Sequence, residues 1–404
     1  MFVGAAPCGC PCLTLKLAQT ENHMPSFDLT EAQEQLRASA ERFARERIAP
    51  GARQRERERA TPHALIKELA DHGLLGVNLP SDVGGAESGV IGFVLALHEI
   101  AKVDAAVAVT MSVTNMVGEI INKFGTPAQR TKHVTKLVSG DYFGGAFGLS
   151  EPDYGSDAAD LQMRAEKTAK GWALTGEKQW ISTGDQADII VVWARTSDNG
   201  AKGITCFLVE KGAPGLTAGK PEEKMGLLAS HTVGLSFDHV EVRDDAVLGE
   251  LGAGFRIAMT ALDGGRISIG AQSLGMGYAA LAKARAYVLD RRQFDKHLAD
   301  FQSVQFMLAD MATKLDAAWL LTLRAAFLKE TKQPFTREAA MTKVFSSEIA
   351  NEVIRDAVQL LGGYGYMEDY TVARLYRDCR VTQIYEGTSE IQRIVIAREV
   401  LRGG

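Results

Sequence analysis

The sequence predicts an α+β protein with three domains: an N-terminal α-helical domain, a middle antiparallel β-barrel or sandwich domain and a C-terminal four-helix bundle. Apolar residues follow a helical period up to residue 141 and again from Gly254, whereas short β-branched and aromatic runs separated by glycines lie between them. No strand alternates with a long helix and no Gly-x-Gly-x-x-Gly follows a strand, so a Rossmann sheet is excluded. We therefore place the domains at 24–141, 142–245 and 246–404.

The N-terminal domain is predicted to be helical throughout. Thr30 and Gln33 form a capping box at the start of the first helix, a pattern in which each side chain bonds the backbone N–H of the other residue. Thr61 is the predicted N-cap of the second helix, with Pro62 at its first position and Gly73 after its end. Further helices fit residues 88–102, 105–124 and 127–138.

The other two domains differ in the period of their apolar residues. Short runs that alternate with glycine-containing turns predict strands at 172–174, 189–193, 204–208 and 233–242. Helical spacing with short connections predicts a bundle of helices at 254–290, 303–331, 336–361 and 389–401.

The composition excludes several classes of protein. The net charge is −5 and there is no long basic block, so a nucleic-acid partner is not expected. No apolar run reaches the roughly 20 residues that a membrane span needs. Cys206 and Cys379 are the only cysteines beyond the N-terminal segment and do not make a disulfide framework. This indicates a reducing compartment, the cytoplasm of a bacterium or the mitochondrial matrix of a eukaryote.

Residues 1–23 are set apart from the rest of the chain. Cys8, Cys10 and Cys12 could be a metal site, but no histidine or further cysteine follows at the spacing of a zinc finger. The segment also lacks the arginines of a transit peptide. We interpret it as a disordered extension or a mis-assigned start, with Met24 as the true beginning.

The segment that carries the chemistry lies near the C-terminus. Glu386 is followed by Gly387, which frees the backbone so that the carboxylate can face a cavity from a turn. Ser389 and Gln392 form a predicted capping box for the last helix. A carboxylate held in this way suits a general base, and a solvated glutamate before a surface helix is the alternative. The run 384–393 resembles the signature of the acyl-CoA dehydrogenase family, whose glutamate in Tyr-Glu-Gly-Thr removes a proton from the substrate.

The resemblance implies an FAD cofactor. Residues 147–157 resemble the flavin-contacting strand of the family and residues 180–184 resemble a second contact, although alone they fit an ordinary turn and core packing of a tryptophan. Arg291 would meet the FAD diphosphate through paired charge-assisted bonds, and residues 359–363 would meet it from a neighbouring subunit. The implied FAD-binding residues are Phe147, Leu149, Ser150, Trp180, Ser182, Arg291, Gln293, Phe294, Gln302, Gln359, Gly362, Gly363, Thr388 and Glu390.

The same resemblance places an acyl-CoA substrate beside Glu386. Asp263 and Arg266 would lie along the CoA chain, and a plain i,i+3 salt bridge is the alternative for this pair. Glu386 would remove the α-proton while the β-hydride passes to the flavin, and the Glu386 N–H and a flavin ribityl hydroxyl would polarise the thioester oxygen. The implied substrate-binding residues are Ser156, Asp263, Arg266, Tyr385 and Gly387, and no metal is implied.

Within the family, the sequence is most similar to short-chain (butyryl-type) members. A base at Glu386 fits short- and medium-chain enzymes, and residues 111–119 contain no arginine of the kind that glutaryl-type members use for a distal carboxylate. Leu228 stands where many relatives carry arginine. We expect butyryl- to hexanoyl-CoA to be the best substrates, in fatty-acid β-oxidation or branched amino-acid catabolism, with medium-chain or small branched acyl-CoAs as the alternative.

The resemblance also implies partners. Electrons would pass to an electron-transferring flavoprotein, and the chain would form a homotetramer built as a dimer of dimers. One rival is an acyl-CoA oxidase, but those chains are usually much longer and carry a second C-terminal domain. The other is a non-enzymatic flavin-holding relative that binds nucleic acid or acts as a scaffold, against which the retained Glu386 and the lack of a basic C-terminal region argue.

Overall fold

The computed structural model describes residues 28–403, so the predicted extension at 1–23 lies outside the described residues. The N-terminal part is helical, and short π and 3₁₀ turns join several of its helices. Its helices are α1 (Glu31–Phe43), α2 (Ala52–Glu58), α3 (His63–Asp71), α4 (Gly89–Val103), α5 (Ala105–Phe124), α6 (Pro127–Gln129) and α7 (Thr135–Val138).

The two predicted helix starts have different outcomes. The capping box is confirmed, because Gln33 N donates to Thr30 Oγ1 and Thr30 N donates to Gln33 Oε1. Thr61 is not an N-cap, since Pro62 holds that position and α3 begins one residue later. Instead, Thr61 Oγ1 donates to the Ala229 carbonyl at 2.9 Å. This hydroxyl ties the helical domain to the middle domain.

The middle part is one eight-stranded sheet. Its strands are β1 (Gly145–Gly148), β2 (Arg164–Lys167), β3 (Gly171–Ser182), β4 (Ile189–Arg195), β5 (Ile204–Glu210), β6 (Leu216–Ala218), β7 (Thr232–Arg243) and β8 (Val247–Leu248). They follow the order β6-β7-β3-β2-β4-β5-β8, and β1 pairs with β4 outside this path. Because β8 pairs with β5, the sheet extends past the predicted domain boundary at 245.

The sequence predicted an antiparallel sheet, but the observed sheet also contains parallel pairs. β1 runs parallel to β4 over four residue pairs, and β2 is parallel to β4 at one pair. Parallel neighbours need a long crossover. The chain supplies one, because the whole 149–163 loop and the β2–β3 hairpin lie between β1 and β4.

The C-terminal part is a helical bundle. The four predicted helices are confirmed to within one residue, and a short fifth helix that buries Val372 and Leu375 was missed. The elements are α8 (Gly254–Asp290), β9 (Arg292–Gln293), β10 (Lys296–His297), α9 (Gln302–Glu330), α10 (Thr336–Leu361), α11 (Thr371–Cys379) and α12 (Ser389–Leu401).

The two helical parts share one core. One buried cluster contains residues of α4, α8 and α9, namely Phe93, Leu97, Ile267, Ala271 and Ala325. Among the described helices, only α5 is long and apolar enough to cross a membrane, and most of it is buried inside the protein. α4 packs on both α8 and α9, and α5 packs on α8. The candidate site lies against α8.

Candidate active site

Glu386 lies in a tight turn between a 3₁₀ turn, Arg380–Gln383, and α12. Glu386 and Gly387 both have positive φ angles, +51° and +89°. A left-handed conformation costs a residue with a Cβ about 1–2 kcal/mol. Such strain persists only where surrounding contacts hold it, and it is concentrated at functional sites.

Two side chains hold the carbonyl groups of this turn. Gln392 Nε2 donates to Glu386 O at 3.1 Å and to Gly387 O at 2.9 Å. Lys343 Nζ donates to Gly387 O at 2.6 Å. The strained turn is thereby fixed to α10 and to α12, so the Glu386 side chain has a defined direction.

The predicted capping box at Ser389 and Gln392 is wrong. Thr388 is the N-cap of α12, and its hydroxyl accepts from Ile391 N at 3.4 Å. Gly387 reverses the chain, so Thr388 already has the extended conformation of an N-cap one residue earlier than predicted. Gln392 is therefore free to turn back to the carbonyl groups of the Glu386 turn.

The Glu386 carboxylate is packed against the backbone of α8. A Cβ built on Gly265 would collide with Glu386 Oε2, so only glycine at this position leaves room for the carboxylate. Oε2 is buried and has no hydrogen-bond partner among the described residues. Burial raises the pKa of Glu386 to about 7, against the charges of Lys343 and Arg266. This carboxylate is not the solvated side chain of the alternative interpretation.

Asp263 and Arg266 form the i,i+3 ion pair on α8, with a distance of 2.5 Å between Arg266 Nη1 and Asp263 Oδ1. Thr336 Oγ1 donates to the second Asp263 oxygen at 2.8 Å. Arg266 Nε is buried without a partner among the described residues. Burial raises the pKa of Asp263 and lowers that of Arg266. The pair is structural in part, and it also places a positive charge near Glu386.

Lys343 is a residue that the sequence analysis missed. Its side chain is buried on α10, and burial lowers the pKa of its ammonium to about 8, against the charge of Glu386. The sequence held one signal, a lysine in the otherwise uncharged run Ala339–Val344. A buried ammonium is costly without partners. The Gly387 carbonyl and the charge of Glu386 offset this cost for Lys343.

Tyr385 and Gln272 connect the turn to the middle of α8. Tyr385 Oη donates to Gln272 Oε1 at 2.7 Å, and Gln272 Nε2 donates to Ala105 O at 3.2 Å. Burial raises the pKa of Tyr385 well above its usual value. The tyrosine therefore stays neutral and orients the chain just before Glu386.

Trp180 is placed where a flat ligand could contact it. It has a positive φ of +64°, lies at an irregularity between Lys178 and Ile181 in the β3–β7 pairing, and is 62% exposed. Core packing, the alternative for this tryptophan, is therefore wrong. Ser150 lies nearby at the end of β1, because its carbonyl accepts from Gln179 N at 2.9 Å.

The other predicted residues near Trp180 and in the loop after β1 differ in accessibility. Leu149 is buried, and Phe147 packs against Trp193 with 4.4 Å between ring centroids. Ser182 is half-buried and Ser156 is exposed. Ser156 and the accessible part of Ser182 therefore remain for contact with a ligand, whereas the Leu149 side chain does not.

A buried ion pair that the sequence analysis missed holds the loop after β1. Lys178 Nζ is 2.8 Å from Glu151 Oε1 and donates to Leu149 O at 3.1 Å. Glu151 also accepts from the backbone N–H groups of Gln162 and Met163. Burial lowers the pKa of Lys178 to about 8. The pair fixes both ends of the loop that carries Ser156.

Arg291 and the glycine turn after α10 line a groove of about 460 Å³. Gln293, Gly362 and Gly363 line it too, and the Arg291 guanidinium lies 5.9 Å from the Tyr364 ring centroid. The sequence analysis assigned Arg291 and residues 359–363 to different subunits. One chain holds them together, because the C-terminal ends of α8 and α10 lie side by side.

The groove and the glutamate turn lie far apart in one chain. Gly265 and Arg291 are separated by most of α8, about 39 Å at the rise of 1.5 Å per residue. The remaining predicted residues divide between the two places. Phe294, Gln302 and Gln359 are exposed near the groove, whereas Thr388 and Glu390 lie at the start of α12.

Metal binding finds no support in the part of the chain that the structure describes, where no group of three His, Cys, Asp or Glu side chains could hold an ion. Cys206 and Cys379 are free and buried. The site thus consists of a carboxylate, buried cations, hydroxyl groups and an exposed tryptophan.

Comparison with known proteins decides the family. The acyl-CoA dehydrogenase N-terminal, middle and C-terminal domain families match residues 30–141, 146–240 and 252–401. The chain belongs to the acyl-CoA dehydrogenase family. The family, the three-part fold and the enzyme class predicted from the sequence are thus confirmed, whereas the individual roles of the site residues and the exact domain boundaries stay predictions.

Two relatives of known structure and one curated relative are similar over nearly their whole length. The short-chain specific acyl-CoA dehydrogenase of Bos taurus is 43% identical over 93% of this chain and 92% of its own. The butyryl-CoA dehydrogenase of Megasphaera elsdenii is 44% identical with a TM-score of 0.91, covering 93% of this chain and all of its own. A chain from a structure of the electron transferring flavoprotein of Acidaminococcus fermentans is 42% identical with a TM-score of 0.91, over 93% and 99%.

Proposed function

We propose that this acyl-CoA dehydrogenase catalyses the FAD-dependent α,β-dehydrogenation of short-chain acyl-CoA thioesters, with Glu386 as the base. The observation that carries the proposal is the buried, unpartnered Oε2 of Glu386 lying over Gly265. Because no donor among the described residues bonds this oxygen, it is free to take a proton from a ligand. The similarity to short-chain and butyryl-CoA dehydrogenases supports the substrate class.

The environment of Glu386 suits proton abstraction. A pKa of about 7 lets the group be ionised near neutral pH and still hold the proton that it removes. Lys343 and Arg266 keep the pKa from rising further. When a substrate excludes water from this turn, the carboxylate becomes a stronger base, because desolvation disfavours its charged form.

The substrate carbonyl also needs stabilisation, because negative charge develops on the thioester oxygen as the α-proton leaves. The backbone N–H of Glu386 donates to no group among the described residues. A fixed N–H aimed at a developing oxyanion is the strongest form of such stabilisation. We assign it to the thioester oxygen, so that base and donor come from one residue.

The residues present fit an FAD. Trp180 offers an exposed ring at a strand bulge, Ser150 and Ser182 offer hydroxyl groups, and the Arg291 groove offers a guanidinium for a diphosphate. FAD, the cofactor of this family, supplies the hydride acceptor for the β-carbon. Because Arg291 and the Glu386 turn lie about 39 Å apart along α8, we propose that each cofactor is held between two copies of the chain in a homotetramer.

Electron-transferring flavoprotein is the proposed electron acceptor, supported by the similarity to a chain in the Acidaminococcus fermentans structure. A bacterial cytoplasm or a mitochondrial matrix is the proposed compartment. An acyl-CoA oxidase would hand its electrons to oxygen instead.

The test is an anaerobic titration of the purified flavoprotein with acyl-CoAs of two to sixteen carbons. We expect bleaching of the flavin absorbance that is largest between butyryl- and hexanoyl-CoA, and no bleaching in Glu386→Gln. An artificial acceptor and oxygen are then compared as oxidants. Bleaching by no acyl-CoA would overturn the proposed activity, and a maximum at palmitoyl-CoA would overturn the substrate class.

A further inference from the structure

A second cavity begins at the Gly264–Gly265 step of α8 and runs between α4, α5, α8 and α9. Val90, Phe93, Met116 and Ile267 form its apolar lining, and Ser112, Asn115 and Ser268 add polar groups. Its remaining lining includes one ion pair, Glu119 of α5 and Lys329 of α9. Neither charge takes part in the chemistry described above.

The ion pair is close and well connected. Lys329 Nζ donates to Glu119 Oε2 at 2.9 Å and to Oε1 at 3.1 Å, so both carboxylate oxygens share one ammonium. Asn78 Nδ2 donates to Glu119 Oε1 as well. Asn78 comes from the segment before α4, so the pair joins three parts of the chain at one place.

The position of the pair relative to Glu386 follows from two consecutive glycines. A Cβ on Gly264 would lie 2.8 Å from Lys329 Nζ and 3.7 Å from Glu119 Oε2, whereas a Cβ on Gly265 would meet Glu386 Oε2. Consecutive Cα atoms are about 3.8 Å apart. The base and the ion pair therefore face neighbouring residues of α8, and the cavity beside these residues is small, about 10 Å³.

We propose that the Glu119–Lys329 ion pair is the end wall of the acyl cavity and that Glu119 determines its specificity. This inference rests on the function proposed above and names the residues that limit its substrate. A longer acyl chain would have to push apart or desolvate a charged pair, which is costly in a partly buried site. A substrate with a terminal carboxylate would meet Glu119, which already neutralises the one cation there.

The sequence analysis found no arginine in residues 111–119 of the kind that glutaryl-type members use for a distal carboxylate. The structure adds that Lys329, from a helix far along the chain, brings a cation to the same place. Glu119 is what keeps this cation from serving a substrate. The exclusion of dicarboxylyl-CoA substrates thus depends on Glu119 and not on the absence of a cation.

The first test is Glu119→Gln, which keeps the size of the side chain and removes its charge. We expect kcat/KM for a five-carbon acyl-CoA with a terminal carboxylate to rise at least about tenfold relative to butyryl-CoA, because a like-charge contact is removed and Lys329 is released. Adding Lys329→Met should abolish this gain. An unchanged ratio in Glu119→Gln would overturn the inference.

The second test is the double variant Glu119→Ala/Lys329→Ala, which removes the end wall. The ratio of kcat/KM for octanoyl-CoA to that for butyryl-CoA should rise by about tenfold or more, since each methylene accommodated in an apolar slot is worth about 10–200-fold. If the double variant does not fold, the charge-only variant Glu119→Gln still decides the matter. An optimum that stays at the same chain length in a folded double variant would contradict the proposal.

A matched control separates specificity from stability. Glu352→Gln breaks the Lys314–Glu352 pair, which also joins α9 to a neighbouring helix but lies outside the cavity. We expect it to leave both substrate ratios unchanged, and altered ratios in this variant would count against a specific role for Glu119. Flavin bleaching by butyryl-CoA in the unmodified enzyme tests the underlying function separately: its absence would overturn both proposals, and its presence with unaltered ratios would overturn this one alone.

Discussion

Two parts of α8 meet different kinds of site. At Gly265 the helix contacts a buried carboxylate whose turn is fixed by Lys343 and Gln392, all within one chain. At Arg291 it meets an open groove whose neighbours, such as Phe294 at 86% exposure, lie on the surface. The first site is held by buried side chains of one chain, whereas the second is an open surface. This difference supports our proposal that one chain supplies the base and that a second copy completes the cofactor site.

The largest expected effect is at the buried glutamate site. Glu386→Gln keeps the shape of the side chain and removes its basicity, so kcat with butyryl-CoA should fall by about 10²–10⁴-fold or more while FAD stays bound. Steady-state rates and the flavin absorbance measure both. Glu241→Gln, at an exposed position of β7, is the control. Near-normal turnover would move the base elsewhere, first to Asp263.

Gly265→Ala tests whether the glutamate site depends on backbone contact. The new Cβ would displace the Glu386 carboxylate, and a misplacement of 1 Å costs about 10²-fold in rate. We expect this loss in kcat with a far-UV circular dichroism spectrum like that of the parent. Gly155→Ala, where an added Cβ meets nothing within 4 Å, should be neutral. Full activity in Gly265→Ala would mean that the carboxylate acts from another position.

Arg291→Ala tests whether the open groove at Arg291 holds the cofactor. Loss of charge-assisted bonds to a diphosphate, worth about 1.5–3 kcal/mol, should weaken FAD binding by about 10–100-fold and loosen the assembly with it. The flavin-to-protein absorbance ratio and gel filtration report the two effects. Arg57→Ala, on the exposed face of α2, serves for comparison. A fully flavinylated tetramer from Arg291→Ala would show that this groove does not hold the cofactor.

The smallest effect is a shift in pH dependence. Because Glu386 acts when ionised and burial raises its pKa to about 7, kcat/KM should rise as pH increases through about 7. Lys343 lowers that pKa, so Lys343→Met should move the midpoint of the rise to higher pH. Profiles between pH 5.5 and 9 decide this. A rise of kcat/KM with its midpoint near pH 4.5 would mean that Glu386 has the pKa of a solvated carboxyl group, which would contradict this prediction.

The raised pKa of Glu386 also affects stability. Its contribution to the free energy of unfolding falls as pH rises, whereas the activity rises. A carboxyl group whose pKa is higher in the folded than in the unfolded protein favours folding only while it is protonated. The contribution is present below the unfolded value of 4.5 and is lost as pH rises through about 7. Glu386 thus reduces stability at the pH where it works, which is the usual relation between a functional group and its fold.

The sequence by itself determined the elements and the motif. Long helices such as 254–290 and 336–361 were predicted at their observed bounds because a helical period over many residues is a local property. The Thr30–Gln33 capping box was predicted correctly for the same reason. The glutamate turn was recognisable because Gly387 follows Glu386 directly. Local signals failed at Thr61 and Ser389, where contacts from Ala229 and Gly387 decided the conformation.

Only the tertiary structure decided what these elements do together. The pKa of Glu386 depends on Gly265 and Lys343, which lie on two other helices, and the cavity wall joins Glu119 to Lys329 across the chain. The buried Lys178–Glu151 pair and the parallel β1–β4 pairing are equally non-local. Desolvation and charge pairing depend on which distant residues come within a few ångströms of each other. That is set by the packing of the helices and not by the spacing of residues along the sequence.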